Sequence, residues 1–412
     1  MRFAPIRGNR PNPYDQEPFP NAEESHLARR TSRLSFTNAQ VAAFRVHRHH
    51  LDGRAPRARL PAVVGDVCGV QAQVTAMARI ALWARLQDLT IDDIERALVQ
   101  KRTIVKTWSM RGTLHLHPSS ELMVYVGGLM PTRLRHEQRW IDRVGMKEEE
   151  TTAMILEALK DGPLTRVELA KHLAEKLPGK TEHWSGGWGS DTAGSGKYAW
   201  YLVRPAMVRG LVCFGPSNGQ EITFARVDQW LRNPRLRAAE DGAEEALVRR
   251  YFGSFGPADA KDFKAWSGVL TRQITPIFER LGDELVEADV EGHRSFLLRN
   301  DVSGLEDAET DRGTVRLLPS FDPFMLGHLE RGYLVDRAYY KKVYKDAGWL
   351  APVVLLDGRV VGTWSYERQP RKLGVGVTMF KTFNKEIRRK VKEEAEDLAR
   401  FLEVPAMSLR FT

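Results

Sequence analysis

The sequence predicts a mainly helical α+β chain: three tandem winged helix-turn-helix units, then a β-barrel-like domain with a terminal helix. Three observations predict it. Helical periodicity followed by a pair of alternating β-branched segments comes round three times; a Gly-Pro break, Gly162-Pro163 or Gly256-Pro257, precedes the middle helix in two of those rounds; and beyond residue 311 the chain turns strand-rich. The expected boundaries are 1–36 for a flexible basic extension, 37–146, 147–236 and 237–310 for the three units, and 311–412 for the C-terminal β domain.

Residues 1–36 are rich in Pro, Asn and Arg and poor in large aliphatics, a composition that cannot bury enough surface to order itself. Thr37 or Asn38 then caps a helix running toward His50. An apolar segment over 60–70 and a helical one over 76–86 follow. Thr90 and Asp93 open another helix, with Ile91, Ile94 and Leu98 on one face. Residues 103–108 and 113–117 read as a hairpin, the first wing.

In its second arm Thr113, His115 and His117 share one face and Leu114 and Leu116 the other, so the polar face is expected to line a nucleic-acid groove. The second unit runs through helices over 154–159 and 164–173 to strands over 211–214 and 222–224. The third has helices over 243–252, 259–266 and 271–281, with strands over 284–290 and 294–298. The β domain has strands over 315–318, 353–356 and 359–364 and a helix over 383–402.

Sixty-two Lys and Arg against 53 Asp and Glu give a formal charge of +9, a balance that favours a phosphate-rich partner, DNA first. The two cysteines, Cys68 and Cys213, give neither a disulfide framework nor a thiolate metal site. His47, His49 and His50 lack a carboxylate or Cys at ligand spacing and read as a basic helix end, and His115 with His117 lacks a third ligand. No metal and no cofactor are expected. The Gly-rich loop 185–197 fails as a P-loop, because Asp191 stands where its first Gly should be and Tyr198 replaces the Ser or Thr. No apolar run reaches the roughly 20 residues of a membrane span, and a soluble cytoplasmic monomer is expected.

The stretch with chemical interest is Gln71-Ala72-Gln73. Extended, it aims both amides to one side; helical, it splays them by roughly 200°. Arg79 in the following helix, Trp108, Arg111, Thr113 and His115 around the first hairpin, and Asp322, His328 and Arg331 in the β domain are the residues expected to meet DNA. A non-catalytic winged-helix regulator is the chief alternative, and a hydrolase using Asp322 with His328 or His115 a third.

Gln71-Ala72-Gln73, Trp108-x-x-Arg111-Gly112-Thr113-Leu114-His115-Leu116, Leu318-Pro319-x-Phe321-Asp322-Pro323 and the run from Asp357-Gly358 to Trp364 together resemble the winged-helix DNA glycosylase family of AlkZ and YcaQ, from about residue 38 onward. The resemblance implies three winged helices and a β barrel around a DNA-binding concavity, at the bacterial nucleoid. It also implies excision of N7- or N3-alkylated purines from double-stranded DNA, or unhooking of crosslinks, with Gln71 and Gln73 as the catalytic pair. One branch of that family has Asp at the second position; this chain keeps Gln and resembles the branch for bulky or crosslinked adducts.

Overall fold

Capping residues set several of the helix starts. Thr37 with Gln40 opens Asn38–Arg48, Thr90 with Asp93 opens Ile91–Glu95, Thr165 with Glu168 opens Arg166–Lys176, and Asp259 with Asp262 opens Ala260–Ser267, each a reciprocal capping box. Each box satisfies two backbone N–H groups that the helix leaves unpaired. These elements belong to a computed structural model that describes residues 34–143, 145–177, 197–217, 221–231, 242–309 and 313–412. Residues 1–33 and most of the Gly-rich loop 185–197 lie outside the described residues.

Three small sheets repeat one plan. The hairpin Ile104–Trp108 and Leu114–Pro118 takes Val70–Gln71 as a third strand, antiparallel to Leu114–Pro118. The hairpin Val212–Phe214 and Thr223–Arg226 takes Leu164–Thr165 in the same way. In the third, Leu285–Val290 and His293–Leu298, Ala258 bridges Phe296 at the equivalent place. Every one of these short partners stands just before a helix: Thr75–Trp83, Arg166–Lys176 and Ala260–Ser267.

The third sheet also has Leu34–Phe36 on its other edge, parallel to Leu285–Val290. These residues were expected in the flexible extension. Phe36 corrects that, being buried with Val41, Phe44 and Leu297, so the ordered chain starts earlier than composition indicated.

The C-terminal sheet runs Val315–Leu318, Val353–Leu356, Arg359–Arg368, Lys372–Met379, Ala406–Phe411, antiparallel except for its last pair. Its first and last strands are not paired with each other among the described residues, so the sheet is open, with Lys385–Phe401 packed on it. The last two strands were not expected from sequence. Nor was the long helix Leu122–Arg143, whose Gly127-Gly128 and Pro131 obscure its periodicity. The glycines have a packing reason: a Cβ on Gly127 would lie 2.6 Å from the Ala243 Cβ, so only glycine lets this helix meet Ala243–Phe255.

The first unit and the β domain are not separate bodies. Val64, Leu82 and Leu89 share one apolar core with Leu317, Val354 and Leu398. Trp83 stacks on Phe401 and donates its indole N–H to Asp397 (2.9 Å), and Arg54 lies over Trp83 while bonding Glu394 and Asp397. No helix among the described residues is long and apolar enough to cross a membrane.

Candidate active site

Gln71 closes the short strand, in register with His115, and the extended backbone continues through Ala72, whose N–H donates to the Leu114 carbonyl (2.6 Å). Ala72 is buried and its two neighbours are not, as alternation in an extended segment requires. The Gln71 Oε1 accepts from Arg111 Nη2 (3.3 Å) and the Gln73 Oε1 from the Leu114 N–H (3.3 Å). Both amide oxygens are thus tied to the turn between the hairpin strands. Each keeps a second lone pair for another donor.

Gly69 permits the approach of this strand. It holds φ +89°, and a Cβ there would sit 2.6 Å from His117 Cε1. The helix after the pair departs from the repeat. Thr165 and Asp259 cap the equivalent helices, whereas Thr75–Trp83 starts after Val74 with no side-chain cap. Met77 and Ala78 donate their N–H groups to the Val74 carbonyl, so those of Thr75 and Ala76, at the start of the helix, are the N–H groups left without a side-chain acceptor, a setting that favours negative charge.

Arg111 organises the turn. It holds φ +54°, donates one guanidinium nitrogen to the Trp266 carbonyl and the other to Gln71, and so joins the first and third repeats at the pair. Burial lowers its pKa to about 10, with the Arg331 charge adding to the effect. It stays cationic at neutral pH.

Behind the turn, Arg133 and Arg204 share one carboxylate, Glu137, at 2.8 and 2.9 Å, and Arg204 lies 4.5 Å over the Trp108 ring. Gly112 is glycine for the same reason of space, since a Cβ there would fall 2.6 Å from Arg133 Nη1. This group of two cations and one anion was missed from sequence because the helix carrying Arg133 and Glu137 was missed. Their i, i+4 spacing was the available signal.

The residues expected to touch DNA separate into two sets. Arg79, paired with Glu95, and Thr113, donating to the Met110 carbonyl (3.2 Å), are half-buried. Arg111 and Arg331 are half-buried and close enough to repel. The others are corrections. Trp108 is packed between Arg204 and Trp200. His115 is 2% exposed, its Nδ1 against the Thr113 carbonyl, so the hairpin face expected to be polar and open is closed by the core.

Asp322 is 0% exposed and forms two bonds with the equally buried Arg85 (2.8 and 2.6 Å) while accepting from the Phe324 N–H. His328 lies between the Phe255 carbonyl and the Tyr333 hydroxyl. Asp322, His328 and His115 engage separate partners, which removes the reading of Asp322 with His328 or His115 as a hydrolytic pair. Among the described residues no cluster of three His, Cys, Asp or Glu is placed to hold a metal.

Four histidines, His49, His115, His117 and His328, are buried, and burial holds each below the ordinary imidazole range, His117 down to about 3. A histidine kept neutral in the fold contributes fully above its unfolded pKa near 6.5 and loses that contribution as pH falls toward the folded value. For His117 the loss is about 2 kcal/mol at pH 5. The Tm is expected to drop between pH 7 and 5, and His117→Phe, which can keep the stacking on Tyr125 (3.8 Å), to flatten the drop. A wild-type Tm constant over that interval would count against the burial of these rings.

Known proteins share the sequence and fold of this chain. The family described as DNA glycosylase AlkZ-like matches residues 64–401. An interstrand DNA cross-link repair glycosylase from Streptomyces sahachiroi is 31% identical over 381 residues, 90% of this chain and 98% of the relative. The solved structure of Streptomyces sahachiroi DNA glycosylase AlkZ superposes with a TM-score of 0.75 at 28% identity, covering 92% of this chain and all of the other. The chain belongs to the AlkZ-like family of DNA glycosylases.

Proposed function

We propose that this chain hydrolyses the N-glycosidic bond of N7- or N3-alkylated purines in double-stranded DNA, interstrand crosslinks included, with a water held by Gln71 and Gln73. The observation that carries the reading is the pinning of both amide oxygens to one turn, on an accessible segment, at the one repeat junction that lacks a helix cap. The Streptomyces relative, named for crosslink repair, supports extending the substrate to crosslinks.

An amide is no useful general base near neutral pH, so the chemistry must suit it. An alkylated purine is already cationic and leaves with the bonding electron pair as a neutral base. The sugar becomes oxocarbenium-like at C1′, a water oxygen adds there, and its proton passes to solvent. Placement of that water and stabilisation of the positive sugar are what remain for the protein, and two amide oxygens supply both. Arg111, Arg331 and the uncapped helix start suit the flanking phosphates. We read the three helix–hairpin repeats as winged helices lining the duplex, the open sheet as the counterpart of the family's barrel, and the protein as a monomer acting at the nucleoid.

The test is a panel of duplexes bearing N7-methylguanine, an N7-linked crosslink, or no adduct, scored for free base and for alkali-labile abasic sites. Release from both adducts and none from the unmodified duplex is expected. No release from either adduct would remove the proposed activity.

A further inference from the structure

We infer that Trp349, braced by Phe321, is a base-stacking element that extends the DNA-binding surface from the glutamine pair onto the β domain. The inference rests on the proposed function only in taking duplex DNA as the ligand.

Phe321 holds φ +61°, a left-handed conformation that is an outlier for a bulky aromatic residue. Such strain persists where the surroundings fix it, and it concentrates at functional positions. The next residue supplies the fixing: Asp322 is locked to Arg85 and to the Phe324 N–H with no exposed surface at all. The half-buried Phe321 ring at this strained turn meets Trp349 in a T-shaped contact, with centroids 5.1 Å apart and planes at 87°. Trp349 is itself 48% exposed, on a loop closed by the Tyr344–Leu350 bridge and by the Lys345 N–H donating to its carbonyl. Large exposed apolar side chains are few among the described residues, namely Val74, Leu211, Leu329 and Trp349. A tryptophan supported from behind and open in front is built to meet something flat.

The surroundings specify a polyanion. Lys341, Lys342 and Lys345 have no carboxylate partner among the described residues, unlike Arg48 with Asp301 or Arg249 with Glu284. Lys342 lies over the stacked Tyr339 and Phe380 rings, and Tyr340 stacks on Tyr344. Cations interleaved with aromatic faces suit a nucleic acid backbone together with its bases. The loop is also joined to the site. Arg331 lies 4.3 Å over the Tyr344 ring, and the same Arg331 is close enough to Arg111 to lower its pKa. Trp349 is thus placed to stack on a nucleobase of the bound duplex whose neighbour is displaced at the lesion. Phe321 is a positioning residue for it.

The experiment uses the full chain and duplexes with one N7-methylguanine and 2-aminopurine at each flanking position in turn. Trp349→Ala, at an exposed position, is expected to leave Tm unchanged, weaken duplex binding about tenfold, and abolish the quenching of one particular 2-aminopurine. Trp349→Phe is expected to restore most of both, which a merely structural role would not require. Phe321→Ala should reduce the quenching less than Trp349→Ala. Wild-type affinity and quenching in Trp349→Ala would overturn the inference. Binding is read whether or not base is released, so a wild-type protein that releases no base sinks the proposed activity while Trp349→Ala still decides the stacking.

Discussion

Replacing Gln71 and Gln73 together with alanine is expected to slow release of N7-methylguanine by about 10²–10³-fold, the scale of losing a preorganised electrostatic contact in a water-poor site. Each single replacement should show most of the loss, because one amide oxygen cannot both place the water and face the developing charge. Stability should change little. Gln73 is exposed and Gln71 half-buried, so truncating them opens the released Leu114 N–H and Arg111 guanidinium to water from that side. Single-turnover base release and Tm on the same preparations make the comparison. Wild-type release from the double variant would take the pair out of the mechanism.

Asp322→Ala is expected to cost about 3–5 kcal/mol of unfolding free energy. It strands the Arg85 guanidinium in a site with 0% exposure, where the Ala81 carbonyl is the other acceptor described, and it removes the acceptor for the Phe324 N–H that starts the turn Pro323–Met325. Arg85→Met combined with Asp322→Leu should recover part of that loss, since an apolar pair avoids burying charge. Urea unfolding gives both values. A loss below about 1 kcal/mol in Asp322→Ala would return Asp322 to the candidates for DNA contact.

The two variants mark the divide between local and long-range information. The repeat could be found because Gly162-Pro163 and Gly256-Pro257 punctuate it, just before the helices that Thr165 and Asp259 cap. These signals act within one turn of chain. Sequence places the Gln pair between the segments 60–70 and 76–86 without deciding extended from helical, at a junction that lacks both the Gly-Pro break and the cap. A departure from a local rule of this kind is what a functional site produces.

By contrast, the polar residues of the LPSFDP stretch and of the hairpin look alike in sequence whether they face solvent or core. His115 is expected on an open groove face because isolated polar residues in strands usually are exposed. Of the two roles the sequence offers Asp322, contact with DNA or bracing its loop by accepting backbone hydrogen bonds, the Phe324 N–H bond matches the second.

Spacing along the chain was enough for several helix starts, the three hairpins, the basic balance and the motif combination that resembles the AlkZ-like glycosylases. That Asp322 meets Arg85 across 237 positions, that residues 60–89 share a core with the C-terminal sheet, and that Arg111 links Gln71 to Trp266 are visible in three dimensions alone. Those are pairings of a buried charge with its counter-charge and of one apolar face with another. Their partners are selected by desolvation and shape in three dimensions, and periodicity along one segment contains no information about them.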